Sequence, residues 1–227
     1  ASATSLMYAR FDGSSWQVEE VDNGGASGTY SSIAIDPSGN PHISYVNTTP
    51  NPDAVMYAHH NGTAWTNEVI DATPYYAYDT SIDLDSSGSA HITYQVYNNS
   101  CGTCYNLRYS YHNGSEWVYE DIKDYSSNWA YSNTGRNNQI KLNSTDVPHV
   151  VFFDDYYDDV YLSVRVNGSW SSSSVDDYGG IYTIYGERAI SLAIDSTDGL
   201  HVAYYDMSGR FLEYAHRGPG ESSWTKT

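Results

Sequence analysis

Two patterns of apolar and polar positions alternate along the chain. The first is an apolar run, Ser32-Ile-Ala-Ile-Asp36, then a turn, then Pro41-His-Ile-Ser-Tyr45; it returns over Ser81–Tyr94, Gln139–Phe152 and Ser191–Tyr204. The second couples two short segments across a turn, Leu6–Trp16, and returns as Val55–Trp65, Leu107–Trp117, Val160–Trp170 and Leu212–Trp224. Its tryptophans, Trp16, Trp65, Trp117, Trp170 and Trp224, lie 49, 52, 53 and 54 residues apart, a period that predicts a repeat array. The apolar Ile-Ala-Ile run predicts a strand buried on both faces, and the alternation of Trp16-Gln-Val-Glu-Glu-Val21 predicts a half-wet one. Each pattern therefore reads as a β-hairpin. Asp12-Gly13, Asn61-Gly62, Asn113-Gly114 and Asn167-Gly168 are pairs suited to type I′ turns, whose two central residues both take positive φ; the last copy has Pro219-Gly220 in a longer loop.

Four antiparallel strands in about 50 residues make the blade of an all-β propeller. With strands lettered A to D from the centre outward, the Ile-Ala-Ile strand is innermost and the tryptophan strand outermost. The sequence then predicts one propeller domain over 1–227, with blades at 30–77, 78–134, 135–187 and 188–227. A surplus C–D hairpin over 1–29 has no A–B hairpin before it. It closes the ring, or meets another chain, or marks a piece of a longer propeller; an unpaired strand edge invites strand addition, and a contact that does not close builds a filament.

Composition narrows the partners. Twenty-eight acidic against 10 basic residues give a formal charge of −18, which argues against nucleic acid and against docking on anionic membranes. No stretch approaches the roughly 18 apolar residues of a membrane helix, so no membrane insertion is expected. The 24 tyrosines and six tryptophans rule out a disordered acidic tail. The opening Ala-Ser-Ala-Thr reads as a mature or trimmed end.

The consensus running through Ser32–Tyr45 and through Leu-Met-Tyr-Ala with its Asn-Gly-x-x-Trp ending resembles the tandem propeller repeats of secreted archaeal and bacterial surface proteins, over almost the whole chain. The resemblance implies a propeller in a secreted, extracellular or cell-surface setting and supplies no shared catalytic residues. Departures from the repeat are Asn143 in place of Asp, Leu162 in place of Tyr, and an insertion between Trp117 and Gln139.

His42, His91, His149 and His201 recur at one place in the B strands, each six residues after Asp36, Asp85, Asn143 or Asp195. A hydrogen-bonded brace of each hairpin is the expected role, with a metal site on the axis as the alternative. Cys101 and Cys104 predict a local disulfide, because zinc would need two more ligands and a redox pair a helix N-terminus. The runs Asp154–Asp159 and Asp176-Asp177, and the turn Asp83–Gly88, read as solvated loop charge; calcium is the lesser reading, and no cofactor is expected. The seven arginines are scattered, and no nucleophile elbow, phosphate loop or zinc-hydrolase motif appears, so the sequence reads as a non-enzyme.

The D–A and B–C connections share one face of a propeller. They carry Tyr75, Tyr76, Tyr78, Tyr97, Tyr105, Trp129, Tyr131, Tyr156, Tyr157, Tyr178, Tyr182 and Tyr185, which either bind a partner or fill gaps between blades. Six sequons, at Asn47, Asn61, Asn98, Asn113, Asn143 and Asn167, are glycosylation candidates, although Asn-Gly turn preference accounts for three of them. The leading expectation is a structural or interaction module that self-associates through its hairpin or edge as part of a surface or filamentous assembly. A glycan-binding, lectin-like propeller is the alternative, and a glycoside hydrolase a remote one. Loops that differ from blade to blade favour assembly over a lectin with equivalent clefts.

Overall fold

The computed structural model describes residues 4–49, 52–72, 75–98, 104–123, 134–154, 159–176, 189–206 and 211–227. Among them are eighteen strands and no helix. A hairpin of β1 (Leu6–Phe11) and β2 (Trp16–Asp22) comes first. Four antiparallel meanders follow, each in the spatial order of its sequence. They are β3 (Ser27–Ile35), β4 (Pro41–Asn47), β5 (Ala54–His60), β6 (Trp65–Asp71); β7 (Ala77–Leu84), β8 (Ala90–Asn98), β9 (Cys104–His112), β10 (Trp117–Lys123); β11 (Thr134–Leu142), β12 (Pro148–Asp154), β13 (Asp159–Val166), β14 (Ser169–Asp176); and β15 (Ile190–Ile194), β16 (Leu200–Asp206), β17 (Phe211–Arg217), β18 (Thr225–Lys226). This is the all-β propeller expected, four four-stranded blades and a surplus hairpin.

The blades stack through their innermost strands, β3 on β7, β7 on β11 and β11 on β15. No comparable packing brings β15 back to β3 among the described residues, so the blades form an open arc. The apolar positions explain how. One apolar residue in the first half of each C strand packs toward the following blade, and Leu6, Val55, Leu107 and Val160 are buried there. The fifth such residue, Leu212, packs against no further blade among the described residues and is 74% exposed. At the other flank Ile33 and Ile35 of β3 are 52% and 55% exposed, whereas Ile82, Ile140 and Leu192 at the place of Ile33 are buried.

The surplus hairpin does not close a ring. It packs on the first blade as the outer half of a preceding blade would, burying Leu6 and Val21 against Ile43, Tyr45, Met56 and Ala58. Its polar contacts repeat those between complete blades. The indole Nε1 of Trp65 donates to Glu19 at 3.1 Å, as Trp117 does to Glu68 at 2.9 Å and Trp170 to Glu120 at 2.8 Å. Each acceptor stands three residues after the tryptophan of the preceding copy. After Trp170 that place holds Ser173, and the buried Nε1 of Trp224 has no partner. A Ser173→Glu substitution is expected to stabilise the protein by about 1 kcal/mol, raising the melting temperature by about 2–4 °C. Differential scanning calorimetry checks it, with Trp224→Phe as the background in which the gain should vanish.

The C–D turns depart from expectation. Only Asn167-Gly168 has both residues at positive φ, because only there do two residues separate the paired ends Val166 and Ser169. In the other three hairpins four residues intervene, as between Phe11 and Trp16. There the glycine alone takes positive φ, and the Oδ1 of Asp12, Asn61 or Asn113 accepts the N–H groups two and three residues on.

Candidate functional site

A feature invisible in the repeat pattern shapes one end of the arc. Three of the four inner strands, β3, β7 and β11, each carry a β-bulge near their start, where the register with the B strand shifts. At each bulge one non-glycine residue is left-handed: Tyr30 (φ 53°), Asp79 (φ 51°) and Asn137 (φ 50°). Bulges re-aim side chains, and left-handed non-glycine residues are held only where surrounding contacts enforce them. Here the Thr80 hydroxyl donates to the Tyr30 carbonyl at 2.6 Å, and the Asn138 amide to the Asp79 carbonyl at 2.6 Å. Asp79 in turn accepts the Asn137 N–H at 3.0 Å. One blade's bulge thus fixes the next.

The bulges open onto the face of the D–A and B–C connections, and the predicted tyrosines meet there. Tyr76, Tyr78, Tyr105 and Tyr97 form a closed circuit of rings, with successive centroids 6.5, 5.9, 5.3 and 6.0 Å apart. Tyr75 joins Tyr76 edge-on at 5.0 Å. Tyr30, which the sequence analysis did not single out, meets Tyr78 edge-on at 5.4 Å. Tyr97 and Tyr105 are cross-strand partners on β8 and β9. Next to Tyr105, Cys104 is buried and disulfide-bonded. Cys101 lies outside the described residues, as do Trp129, Tyr131, Tyr156, Tyr157, Tyr178, Tyr182 and Tyr185.

Two adjoining clefts share Tyr30 and Tyr78. One, of about 340 Å³, lies between the first and second blades and adds Thr29, Thr48, Asp53, Tyr76 and Ala77. The other, of about 190 Å³, reaches the third blade and is completed by Asp79, Gln95, Tyr105 and Arg136. Burial, and then the Tyr105 ring beside it, push the Tyr78 hydroxyl up to about 12. Burial and the nearby Asp79 carboxylate raise that of Tyr30 as well. Both phenols stay protonated at neutral pH. Ring faces, an amide, a carboxylate and a guanidinium converging on one concavity suit a ligand with both apolar faces and hydroxyl edges.

The B-strand histidines tie strands together within each blade. His42, His91 and His201 place Nδ1 at 2.5, 2.5 and 2.6 Å from the hydroxyls of Tyr57, Tyr109 and Tyr214. Their Nε2 atoms face Asp36, Asp85 and Asp195 at 3.7, 3.6 and 3.0 Å. His149 differs because both departures from the repeat fall on its partners. Leu162 offers no hydroxyl and Asn143 no charge, so its Nδ1 turns to the Val147 carbonyl at 2.9 Å. Burial holds His42, His91 and His149 below the usual histidine range. Among the described residues no group of three or more His, Cys, Asp or Glu is arranged to hold a metal ion.

The acidic runs are not solvated loop charge where they are described. Asp154, Asp159 and Asp176 are buried at the ends of strands. Asp154 accepts Lys123 Nζ at 2.8 Å, and Asp176 accepts the Tyr204 hydroxyl at 2.7 Å and pairs with Lys226. Residues 155–158 and Asp177 lie outside the described residues. Among the sequon asparagines, Asn47, Asn61, Asn113 and Asn143 each accept a backbone N–H of their own turn through Oδ1. Asn167 takes the left-handed place in its turn, and the Asn98 side chain is outside the described set.

No protein-family model matches the chain, and no curated protein matches it. Solved structures do. A lectin from Aleuria aurantia, described as a six-bladed β-propeller with a distinctive mode of fucose recognition, matches all of this chain and 70% of its own at 16% identity and a TM-score of 0.61. A protein of unknown function from Dyadobacter fermentans matches 87% of this chain and 67% of its own at 9% identity and a TM-score of 0.59. An α-L-arabinofuranosidase from Lactobacillus brevis matches 88% and 72% at 9% identity and a TM-score of 0.50. That last match corrects the expectation of a non-enzyme: the shared scaffold is one on which a glycosidase is built as well as a lectin, so missing motifs are no ground for setting catalysis aside. At these identities the matches speak for architecture alone, and the architecture they share with this chain is the β-propeller.

Proposed function

We propose that the chain binds carbohydrate on the tyrosine-rich face, with the cleft of Tyr30, Tyr78, Asp79, Gln95, Tyr105 and Arg136 as the sugar site. The observation that carries the reading is the convergence of three tyrosines from two blades with an amide, a carboxylate and a guanidinium around one concavity, beside strained bulges. A pyranose presents C–H faces to such rings and hydroxyl edges to such polar groups. The propeller lectin that the fold resembles recognises fucose, which supports a sugar as the ligand class without naming this one. The repeat's likeness to secreted surface proteins adds an extracellular setting to the reading.

Screening the chain on immobilised glycans tests the proposal. Binding of at least one glycan, weakened about tenfold by Tyr30→Ala and by Tyr105→Ala, is the expected result, since tenfold corresponds to about 1.4 kcal/mol of lost stacking and contact. No bound glycan, or variants that bind as the parent does, would overturn it.

The uncovered flanks favour a second reading, self-association. Leu212 and Tyr214 on one flank and Ile33 and Ile35 on the other are exposed apolar residues at positions that are buried or half-buried between blades elsewhere. Light scattering across a dilution series is expected to show oligomers that Leu212→Asp reduces to monomers. A monomer at every concentration sinks this reading.

A further inference from the structure

The cleft between the first two blades has a different chemistry from the sugar cleft beside it. Three tyrosine rings line it and no basic side chain does. The rings are set at angles to one another, Tyr30 against Tyr78 at 70° and Tyr76 against Tyr78 at 39°, so they make walls of a concavity rather than a flat stack. Asp53, which also lines it, is buried, and its Oδ2 accepts the Ala77 N–H at 3.1 Å, which fixes the carboxylate between the blades. Thr29 and Thr48 supply the remaining polar lining. Aromatic faces attract a cation through the ring quadrupole, and a carboxylate at close range adds to the attraction. A neutral hydroxyl-bearing ligand gains only a hydrogen bond from Asp53, whereas a compact organic cation gains the attraction of its charge and of all three ring faces. At a formal charge of −18 the molecule as a whole attracts cations.

We propose that the cleft of Tyr30, Tyr76, Tyr78 and Asp53 is an aromatic cage for an organic ammonium group, as carried by a quaternary amine or an amino-substituted glycan. The site stands on its own geometry and does not rest on the carbohydrate reading. Where both hold, an ammonium substituent in this cleft and a sugar ring in the neighbouring one share Tyr30 and Tyr78 as their common wall.

The test is calorimetric titration of the full chain with choline and with its uncharged carbon isostere, dimethylbutanol. The expected result is binding of choline at least about tenfold tighter than of the isostere, the difference being the cation–π and carboxylate attraction. Asp53→Asn, which keeps an acceptor for the Ala77 N–H, is expected to weaken choline about tenfold and leave the isostere unchanged. Tyr30→Phe should keep the affinity and Tyr30→Ala lose it. Equal binding of choline and isostere, no binding of choline, or full affinity in Asp53→Asn would each overturn the proposal. The choline and isostere comparison needs no variant to fold. Choline binding with an empty glycan screen would sink the carbohydrate reading alone, and glycan binding without choline binding would sink this one alone.

Discussion

Above pH 10 the protein is expected to unfold in one cooperative step, within about one to two pH units. Five tyrosines, Tyr45, Tyr57, Tyr94, Tyr109 and Tyr204, are buried. Burial raises the hydroxyl of each well beyond the ordinary value of 10. Tyr45, Tyr94 and Tyr204 also donate to the carboxylates of Asp22, Asp71 and Asp176 at 3.0 Å or less, so a phenolate there would face a negative charge. The folded state therefore holds protons that the unfolded state releases. Stability is fully present below the unfolded value of 10 and is lost as pH rises above it. Each such tyrosine removes about 1.4 kcal/mol per pH unit, so five remove about 7 kcal/mol per unit, against a total stability of about 5–15 kcal/mol. Tyrosinate absorbance and circular dichroism followed together should change at one pH. A gradual titration centred near 10 with unchanged circular dichroism would show that these hydroxyls are free to ionise in the fold. Tyr57→Phe, which removes one of the five, should make the transition less steep.

These tyrosines also mark what the amino-acid sequence discloses and what it hides. The propeller was legible because the spacing of the tryptophans and the Ile-Ala-Ile strands recurs in every copy, and burial follows that period. The indole–glutamate links were legible in principle, since Glu19, Glu68 and Glu120 each stand three residues after a tryptophan. A pairing between neighbouring blades, however, leaves no local pattern in the sequence. The bulges at Tyr30, Asp79 and Asn137 were hidden more deeply. One extra residue in a strand changes neither composition nor period, yet it turns Tyr30 toward rings some fifty residues away. Tyr75, Tyr76, Tyr78, Tyr97 and Tyr105 were singled out as surface aromatics, but their gathering into one circuit depends on a D–A and a B–C connection meeting over the second blade. The buried acids depart from expectation for a related reason. A run of aspartates has the composition of a solvated loop, and only the strand ends at Asp154, Asp159 and Asp176 carry it indoors.

The blade interfaces are chosen as sets, and Lys123→Asp should expose this with a loss of about 3–5 kcal/mol. Six residues after Trp16, Trp65 and Trp170 stand Asp22, Asp71 and Asp176, each accepting the hydroxyl of a buried B-strand tyrosine in the next blade. Six residues after Trp117 stands Lys123, and the B strand it faces carries Phe152, which has no hydroxyl to give. Lys123 instead donates to the buried Asp154 at 2.8 Å, and its Nζ lies 3.8 Å from the centre of the Tyr161 ring. An aspartate at 123 would set a carboxylate beside Asp154 and over the electron-rich face of the Tyr161 ring, with the lysine's charge withdrawn from a fully buried carboxylate. The single substitution breaks a set; completing the alternative set should repair it. Adding Phe152→Tyr supplies the hydroxyl, and adding Asp154→Asn removes the second carboxylate, which reproduces the grouping of Asp22, Tyr45 and Asn47 at the first interface. Urea unfolding should place the triple variant within about 1 kcal/mol of the parent, because a neutral-to-charged hydrogen bond then replaces an ion pair whose gain is largely offset by desolvation. A single variant that unfolds with the parent, or a triple variant no better than the single, would mean that these three positions are independent and that the match between lysine and phenylalanine is coincidence.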